Sequence, residues 1–287
     1  GVKYQGRSDV MLAVLDPGTE IAGVFTSSST RSFAVIDCEK KTLLTDSSSG
    51  AAIVVNSGNA NAFTGSRGKV SVEAITSTAA EALNIPRSRV FSSSTGVIGE
   101  ELPHNLIIDA LGKMVAEKTK HDILEAAKAI MTTDTYPKGS VRKVLTDQGE
   151  ITIAGIAKGS GMIAPNMATM LVYLFTDASV KKEVLQSYLS EINEITFNSI
   201  SVDGDTSTSD TVLMAATGKS GIRIEKNDEN FSQGLASLMT DLAHQVVKDG
   251  EGASKFIEIN IVNARNKTDA KTHAKSIANS PLVKTAI

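Results

Sequence analysis

What this chain has little of narrows its possibilities first. One cysteine in 287 residues, Cys38, excludes an internal disulfide framework and cannot alone build a thiolate metal site. Tryptophan is absent and aromatics make up only 4% of the residues, so the core must be aliphatic. Charge of one sign is also missing. The 29 Lys and Arg stand against 32 Asp and Glu, a formal net charge of -3. There is no basic excess to attract a phosphate backbone, and nucleic acid is not an expected partner. The longest apolar runs, such as Met170 to Phe175, are far too short to span a bilayer, so no membrane association is expected. No basic stretch followed by an apolar core opens the sequence, so no secretory signal is visible, and the expected location is the cytoplasm. What is present is an ordinary globular composition. With 41% hydrophobic and 21% charged residues, disorder is excluded, and the length suits one large or two ordinary domains.

Strands and helices are expected in alternation. Val10 to Leu15 and Ile21 to Phe25 read as strands around the turn Asp16-Pro17-Gly18, with Ala34 to Ile36 and Ala51 to Asn56 as further strands. Val70 to Leu83 carries apolar residues at helical spacing and stops before Pro86. Arg89 to Phe91 reads as a short strand, and helices are expected from Pro103 to Ala116 and from His121 to Met131. Val141 to Leu145 and Ile151 to Ala157 look like strands paired around Gln148-Gly149. Met170 to Phe175 and Thr211 to Ala216 are continuous apolar strands. Lys181 to Ile192, Asn230 to Val247 and Asp269 to Ala278 are helical patterns, the first with Asp177 or Ser179 as its cap, and Phe256 to Val262 alternates like a strand. The fold class is therefore mixed α/β, or α+β. The one composition break lies around residues 158 to 169.

Five segments have the small, polar, Gly-rich make-up of binding loops. They are Asn56 to Asn61, Ser92 to Gly96, Thr132 to Thr135, Lys158 to Gly161 and Asp203 to Thr208. Each alone is an ordinary turn composition; five in one chain favour a shared site. Familiar motifs fail. Gly155 to Gly161 lacks the order of a phosphate-cradling loop. Asp203-Gly204-Asp205 opens like a calcium loop but lacks its turn glycine and bidentate Glu, since Thr208 and Met214 stand there. His104, His121, His244 and His273 sit apart without metal-ligand spacing, so no metal is expected. The stretch from Gly159 to Leu171 is free of charge and leads straight into a buried strand. It reads either as a Gly/Ala-packed strand entry or as a rigid setting for Thr169 as a latent nucleophile.

Read together, these loops resemble a family. Asn56-Ser-Gly-Asn-Ala-Asn-Ala, Ser94-Thr-Gly-Val-Ile-Gly, Thr132-Thr-Asp-Thr, the run from Ala157 through Ala168 to Thr169, Thr196-Phe-Asn and Val202-Asp-Gly-Asp-Thr-Ser-Thr are similar to the successive signatures of the ornithine acetyltransferases. Asp249-Gly-Glu-Gly-Ala-Ser-Lys and Ala278-Asn-Ser-Pro-Leu-Val-Lys-Thr-Ala continue the likeness along nearly the whole chain.

The resemblance implies an enzyme of arginine biosynthesis, a glutamate N-acetyltransferase that moves acetyl from N-acetylornithine to glutamate. It needs no cofactor, and some members also take acetyl from acetyl-CoA. It implies a mixed α/β (α+β) fold in two lobes, of the kind shared by DmpA and the ornithine acetyltransferases. It further implies self-cleavage between Ala168 and Thr169, giving an α chain of 1–168 and a β chain of 169–287 held together as an α2β2 assembly. Thr169 would be the catalytic nucleophile and contact substrate. Thr95 and Gly96 would hold the oxyanion, Lys158 a substrate carboxylate, and Glu251 the substrate's amino group or a shuttled proton. The Thr132-Thr133 region would also bind substrate, while Asp203 and Asp205 would brace loops. Family members carry a further C-terminal tail with an Asn and a Ser or Thr at the substrate, whereas this sequence stops at Ile287. The chemistry suits the residue types, because a threonine hydroxyl needs a nearby base. The α-amine freed by cleavage, with a reference pKa of about 8, supplies one. A self-processed N-terminal-threonine amidohydrolase or aminopeptidase is the competing reading, with water in place of the accepting amine.

Overall fold

Ala51 to Val55, Leu171 to Phe175 and Thr211 to Ala216 have no polar face to turn to water, so both faces of their sheets must be covered. The computed structural model of the protein, which describes residues 2–117, 122–164 and 170–287, covers them. The strands are β1 (Val10–Leu15), β2 (Glu20–Phe25), β3 (Ala51–Asn59), β4 (Val90–Val97), β5 (Lys138–Thr146), β6 (Gly149–Lys158), β7 (Leu171–Thr176), β8 (Ser179–Val180), β9 (Thr211–Ala216) and β10 (Arg223–Ile224). The helices are α1 (Phe33–Thr42), α2 (Ser66–Leu83), α3 (His104–Glu117), α4 (Ile123–Ala129), α5 (Lys182–Ile195), α6 (Glu229–Lys248), α7 (Lys267–Ala278) and α8 (Pro281–Ala286). One sheet has the order β1-β3-β4 and the other β2-β9-β7-β6-β5, with β8 and β10 as a short side pair.

Side-chain alternation assigns the layers. In β7, Leu171 and Tyr173 point between the two sheets, where Met11, Ile53, Val55 and Phe91 of the first sheet meet Ile156, Leu213 and Ala215 of the second. Val172 and Leu174 point the other way, onto Leu185 and Leu189 of α5 and Leu235, Leu238 and Leu242 of α6. The outer face of the first sheet, Val10, Ala52, Val54 and Val90, packs on Ile75 and Ala79 of α2 and Ile107 and Leu111 of α3. The result is helix, sheet, sheet, helix: four layers of mixed α/β architecture with an aliphatic core. Among the described residues no helix is long and apolar enough to cross a membrane.

Most expected elements form, and the exceptions have local causes. Ala34 to Ile36, expected as a strand, lies in α1. The Ser32 hydroxyl accepts the Val35 amide at 3.4 Å and caps a helix whose Ala34, Val35 and Cys38 are buried. Neither Asp177 nor Ser179 caps α5. Lys181 stands at the cap position without a side-chain bond, the Asp177 carboxylate accepts the Thr152 amide at 2.8 Å, and Ser179 pairs with Arg223 in the side sheet. Phe256 to Val262 forms no strand; Val262 is 77% exposed, and among the described residues no strand pairs with it.

Candidate active site

The sheet registers bring several loops to one rim of the sandwich. Ser57 pairs with Thr95 and Gly58 with Gly96 where β3 runs parallel to β4. Lys138 at the start of β5 pairs with Ala157, Lys158 at the end of β6 with Leu171, and Leu171 with Thr211.

Thr95 is buried, and the Lys158 ammonium donates to its Oγ1 at 3.4 Å. With that oxygen accepting, the hydroxyl proton is left to serve as a donor. Gly96 is required beside it. Its φ is +131°, and a β-carbon there would stand 2.3 Å from the Gly58 carbonyl carbon and 2.6 Å from the Asn59 nitrogen. The crossing is pinned from below. Ser94 Oγ donates to Asn56 Oδ1 at 2.7 Å, and Asn56 Nδ2 donates to the Asn59 carbonyl at 2.9 Å. The Asn/Ser/Gly composition of these two loops thus supports a close approach of two backbones.

Lys158 is also buried. Burial pulls its ammonium below the ordinary lysine range, against the pull of Asp134, whose Oδ2 lies 4.0 Å away. Asp134 is claimed more tightly elsewhere. Its Oδ1 accepts from Lys138 Nζ and from the Gly159 amide, both at 2.7 Å, and its Oδ2 accepts the Thr132 amide at 3.0 Å. Burial opposes the Asp134 charge, but Lys158 and Lys138 outweigh it and hold the carboxyl below its usual range. Lys138, with a side chain 0% exposed, reaches Asp249 Oδ2 as well, at 2.5 Å. Asp249 in turn accepts the amide and hydroxyl of Thr135, and its carbonyl accepts Ser160 Oγ at 2.6 Å. Two lysines and two aspartates therefore form a buried, charge-balanced box. It ties the Thr132–Thr135 loop, the exit of β6 and the turn after α6.

Glu251 lies on that turn, and its amide donates to the Ser160 carbonyl at 2.9 Å. Its carboxylate lies over the α-carbon of Gly161, where a β-carbon would come within 2.7 Å. Thr132 is half-buried and Thr133 exposed. Asp203 braces the chain after Gly161, accepting the Met162 amide at 2.5 Å, the Ile163 amide at 2.9 Å and the Asp205 amide at 3.0 Å. Ala168 and Thr169 lie outside the described residues. Met170, which follows them, donates its amide to Asp210 Oδ1 at 2.9 Å, and burial raises the Asp210 carboxyl well above its ordinary range.

Thr95, Gly96, Lys158 and Glu251 thus share one rim, with the Thr132–Thr133 backbone attached through Asp134. Reading the sequence alone missed Lys138 and Asp210 and gave no role to Asp134 or Asp249. The i, i+4 spacing of Asp134 and Lys138 was the only available signal. Nothing in composition marks a strand's first lysine as fully buried. Among the described residues no group of three His, Cys, Asp or Glu side chains could hold a metal ion.

Comparison with known proteins agrees over the whole chain. The ArgJ family model matches residues 1–287. The arginine biosynthesis bifunctional protein ArgJ of Ruegeria pomeroyi is 58% identical over 288 residues, covering all of this chain and 70% of that protein. The same-named protein of Brucella suis is 48% identical over 295 residues, covering all of this chain and 71% of its own length. A solved structure of the Bacillus halodurans ArgJ protein is similar at 30% identity and a TM-score of 0.48, over 58% of this chain and 86% of that one. A family model spanning every residue, with relatives near half identity, establishes that this chain is a member of the ArgJ family.

Proposed function

We propose that this chain is a glutamate N-acetyltransferase of arginine biosynthesis that passes acetyl from N-acetylornithine to glutamate through an acetyl-threonine at Thr169. The observation that carries the residue assignment is the buried Thr95 hydroxyl beside Gly96, with the Lys158 ammonium 3.4 Å from its oxygen. It stands at the rim where β7 begins, two residues after Thr169 in the sequence.

The precursor first cuts itself. Thr169 Oγ attacks the Ala168 carbonyl carbon, the peptide C–N bond breaks, and an ester forms. Water then hydrolyses the ester to an Ala168 carboxylate and a free Thr169 α-amine. That amine takes the hydroxyl proton as Thr169 Oγ attacks the acetyl carbonyl of N-acetylornithine, and gives it to the departing ornithine nitrogen. The glutamate amine then attacks the acetyl ester, and the threonine oxygen recovers its proton. In each tetrahedral state the Thr95 hydroxyl and the Gly96 amide donate to the developing oxyanion. Lys158 pairs with the substrate carboxylate, Glu251 with its ammonium group, and the Thr132–Thr133 segment with its remaining polar atoms.

Cleavage would leave chains 1–168 and 169–287 interleaved. In the larger sheet β2, β6 and β5 belong to the first piece and β9 and β7 to the second, in the order β2-β9-β7-β6-β5. The pieces cannot part without dismantling that sheet. Cleavage followed by co-purification of both pieces is the expected result, read by intact mass before and after denaturation.

The test of the reaction is incubation with N-acetylornithine, with and without glutamate. Rapid ornithine release that depends on glutamate, with N-acetylglutamate as product, supports transfer. Release at the same rate without glutamate would mean a hydrolase and overturn it.

A further inference from the structure

Lys158 and Lys138 are both buried, both lie at the same rim, and both face Asp134, yet they are held differently. Lys138 bonds Asp134 at 2.7 Å and Asp249 at 2.5 Å, whereas Lys158 stands 4.0 Å from Asp134 and, among the described residues, donates to the Thr95 hydroxyl at 3.4 Å. We propose that Lys138 is a positioning residue. By occupying both aspartates it prevents Asp134 from capturing the Lys158 ammonium, which stays directed at Thr95 and at the carboxylate of the incoming amino acid. This rests on the reading of Lys158 as the substrate carboxylate's partner.

The charge count makes the case. Two cations and two anions share the box. Their placement is uneven, however. Asp134 Oδ1 is engaged by Lys138 and by the Gly159 amide, and Oδ2 by the Thr132 amide. Asp249 is engaged by Lys138 and by Thr135. Every carboxylate oxygen already has a donor, and an ammonium 4.0 Å away gains little by moving closer. Without the Lys138 charge, Asp134 would be a buried carboxylate whose nearest cation is Lys158. In low-dielectric surroundings the two would close to contact. Lys158 would then be neutralised by its own protein, and an amino-acid carboxylate would find no cation. Lys138 itself cannot serve the substrate, because its ammonium is enclosed by the two aspartates and the Tyr136 ring, 4.9 Å from the ring centre.

The experiment removes the Lys138 charge while keeping the box neutral, in the full-length enzyme. The Lys138→Met/Asp249→Asn double variant leaves Asp134 facing Lys158 alone. Its Michaelis constant for N-acetylornithine should rise at least tenfold, while kcat falls by less than threefold. Asp249→Asn alone, which keeps Lys138 on Asp134, should leave that constant within twofold. Lys158→Gln is the control on the underlying reading and should also raise it at least tenfold. If Lys158→Gln leaves it unchanged, the carboxylate reading falls and the proposal falls with it. If Lys158→Gln raises it but the folded double variant does not, the carboxylate reading stands and the proposal is overturned. A merely structural Lys138 would instead lower the thermal midpoint and the active fraction at an unaltered Michaelis constant. Should the double variant not fold, Lys138→Arg decides. It keeps the charge, so a constant within threefold of the parent supports the proposal and a tenfold rise overturns it.

Discussion

The rim that carries Thr95, Lys158 and Asp134 and the stretch from Lys255 to Ile287 are both polar in sequence, yet the molecule treats them in opposite ways. At the rim, Lys138, Asp134 and Lys158 have side chains between 0% and 3% exposed, and each has a charged partner within 4.0 Å. Along the C-terminal stretch, α7 and α8 bury no residue at all, and the ion pair from Lys271 to Glu194 lies at 32% and 59% exposure. Polarity therefore says little about a segment until its burial is known. A buried charge is held by geometry and is costly to orphan, whereas an exposed one is solvated with or without its partner.

The sharpest break of this contrast is to delete one cation from each region. Lys138→Met leaves two buried aspartates facing one remaining lysine, and should cost about 3–5 kcal/mol of stability. Lys271→Met should change stability by less than about 0.5 kcal/mol. Chemical denaturation of the two variants beside the parent checks both figures. Equal losses would mean that the box is solvated after all.

Next in size is the site's own chemistry. Thr95→Ala removes one of two proposed oxyanion donors without touching the crossing of β3 and β4. It should lower kcat by about a hundredfold, or roughly 2.7 kcal/mol, with stability changed far less. Steady-state kinetics and a thermal midpoint on the same preparation separate the two effects.

Asp210 sharpens the comparison further, because it is a buried acid outside the box. Its folded-state pKa is raised by burial, so the folded protein binds a proton that the unfolded chain has released. Its contribution to stability is therefore lost as pH rises above the ordinary aspartate range, toward the folded value. Asp210→Asn keeps an acceptor for the Met170 amide and removes the titration. The variant should gain on the parent as pH is raised from about 4, in midpoints taken across the pH range. A parent that gains on the variant instead would place a counter-ion at Asp210.

How much of this was legible in the sequence follows from the same contrast. The two-sided apolar strands β7 and β9 announced a core covered on both faces, and the Gly/Asn/Ser loops announced a shared rim. Ala34 to Ile36 misled because three apolar residues fit a strand as well as a capped helix, and the Ser32 hydroxyl decided between them. The charge box was not legible. Asp134, Lys138, Lys158 and Asp249 are spread over 116 positions of chain, and only the sheet registers and the α6 turn bring them together. Charged residues in a sequence look solvated unless a partner is visible, and these partners are not neighbours.

The smallest effect tests the other side of the comparison. Phe256 to Val262 has the apolar alternation of a half-buried strand, with Phe256 42%, Ile257 41% and Val262 77% exposed, yet among the described residues no strand of either sheet pairs with it. Period-two alternation is stabilised only when one face meets a core and the backbone meets a ladder. Phe256 packs edge-on against His244, with ring centres 5.1 Å apart, but without a ladder the amides of this stretch have little to protect them. Their hydrogen exchange should therefore run close to unfolded-chain rates, while those of Val212 to Ala215 in β9 should exchange only through large-scale opening. Val262→Ser should likewise change stability by less than about 0.5 kcal/mol. Strong protection at 256–262 in the isolated chain would mean that the stretch pairs as its alternation suggests. The division between a buried, bonded rim and an open C-terminal stretch would then have to be redrawn.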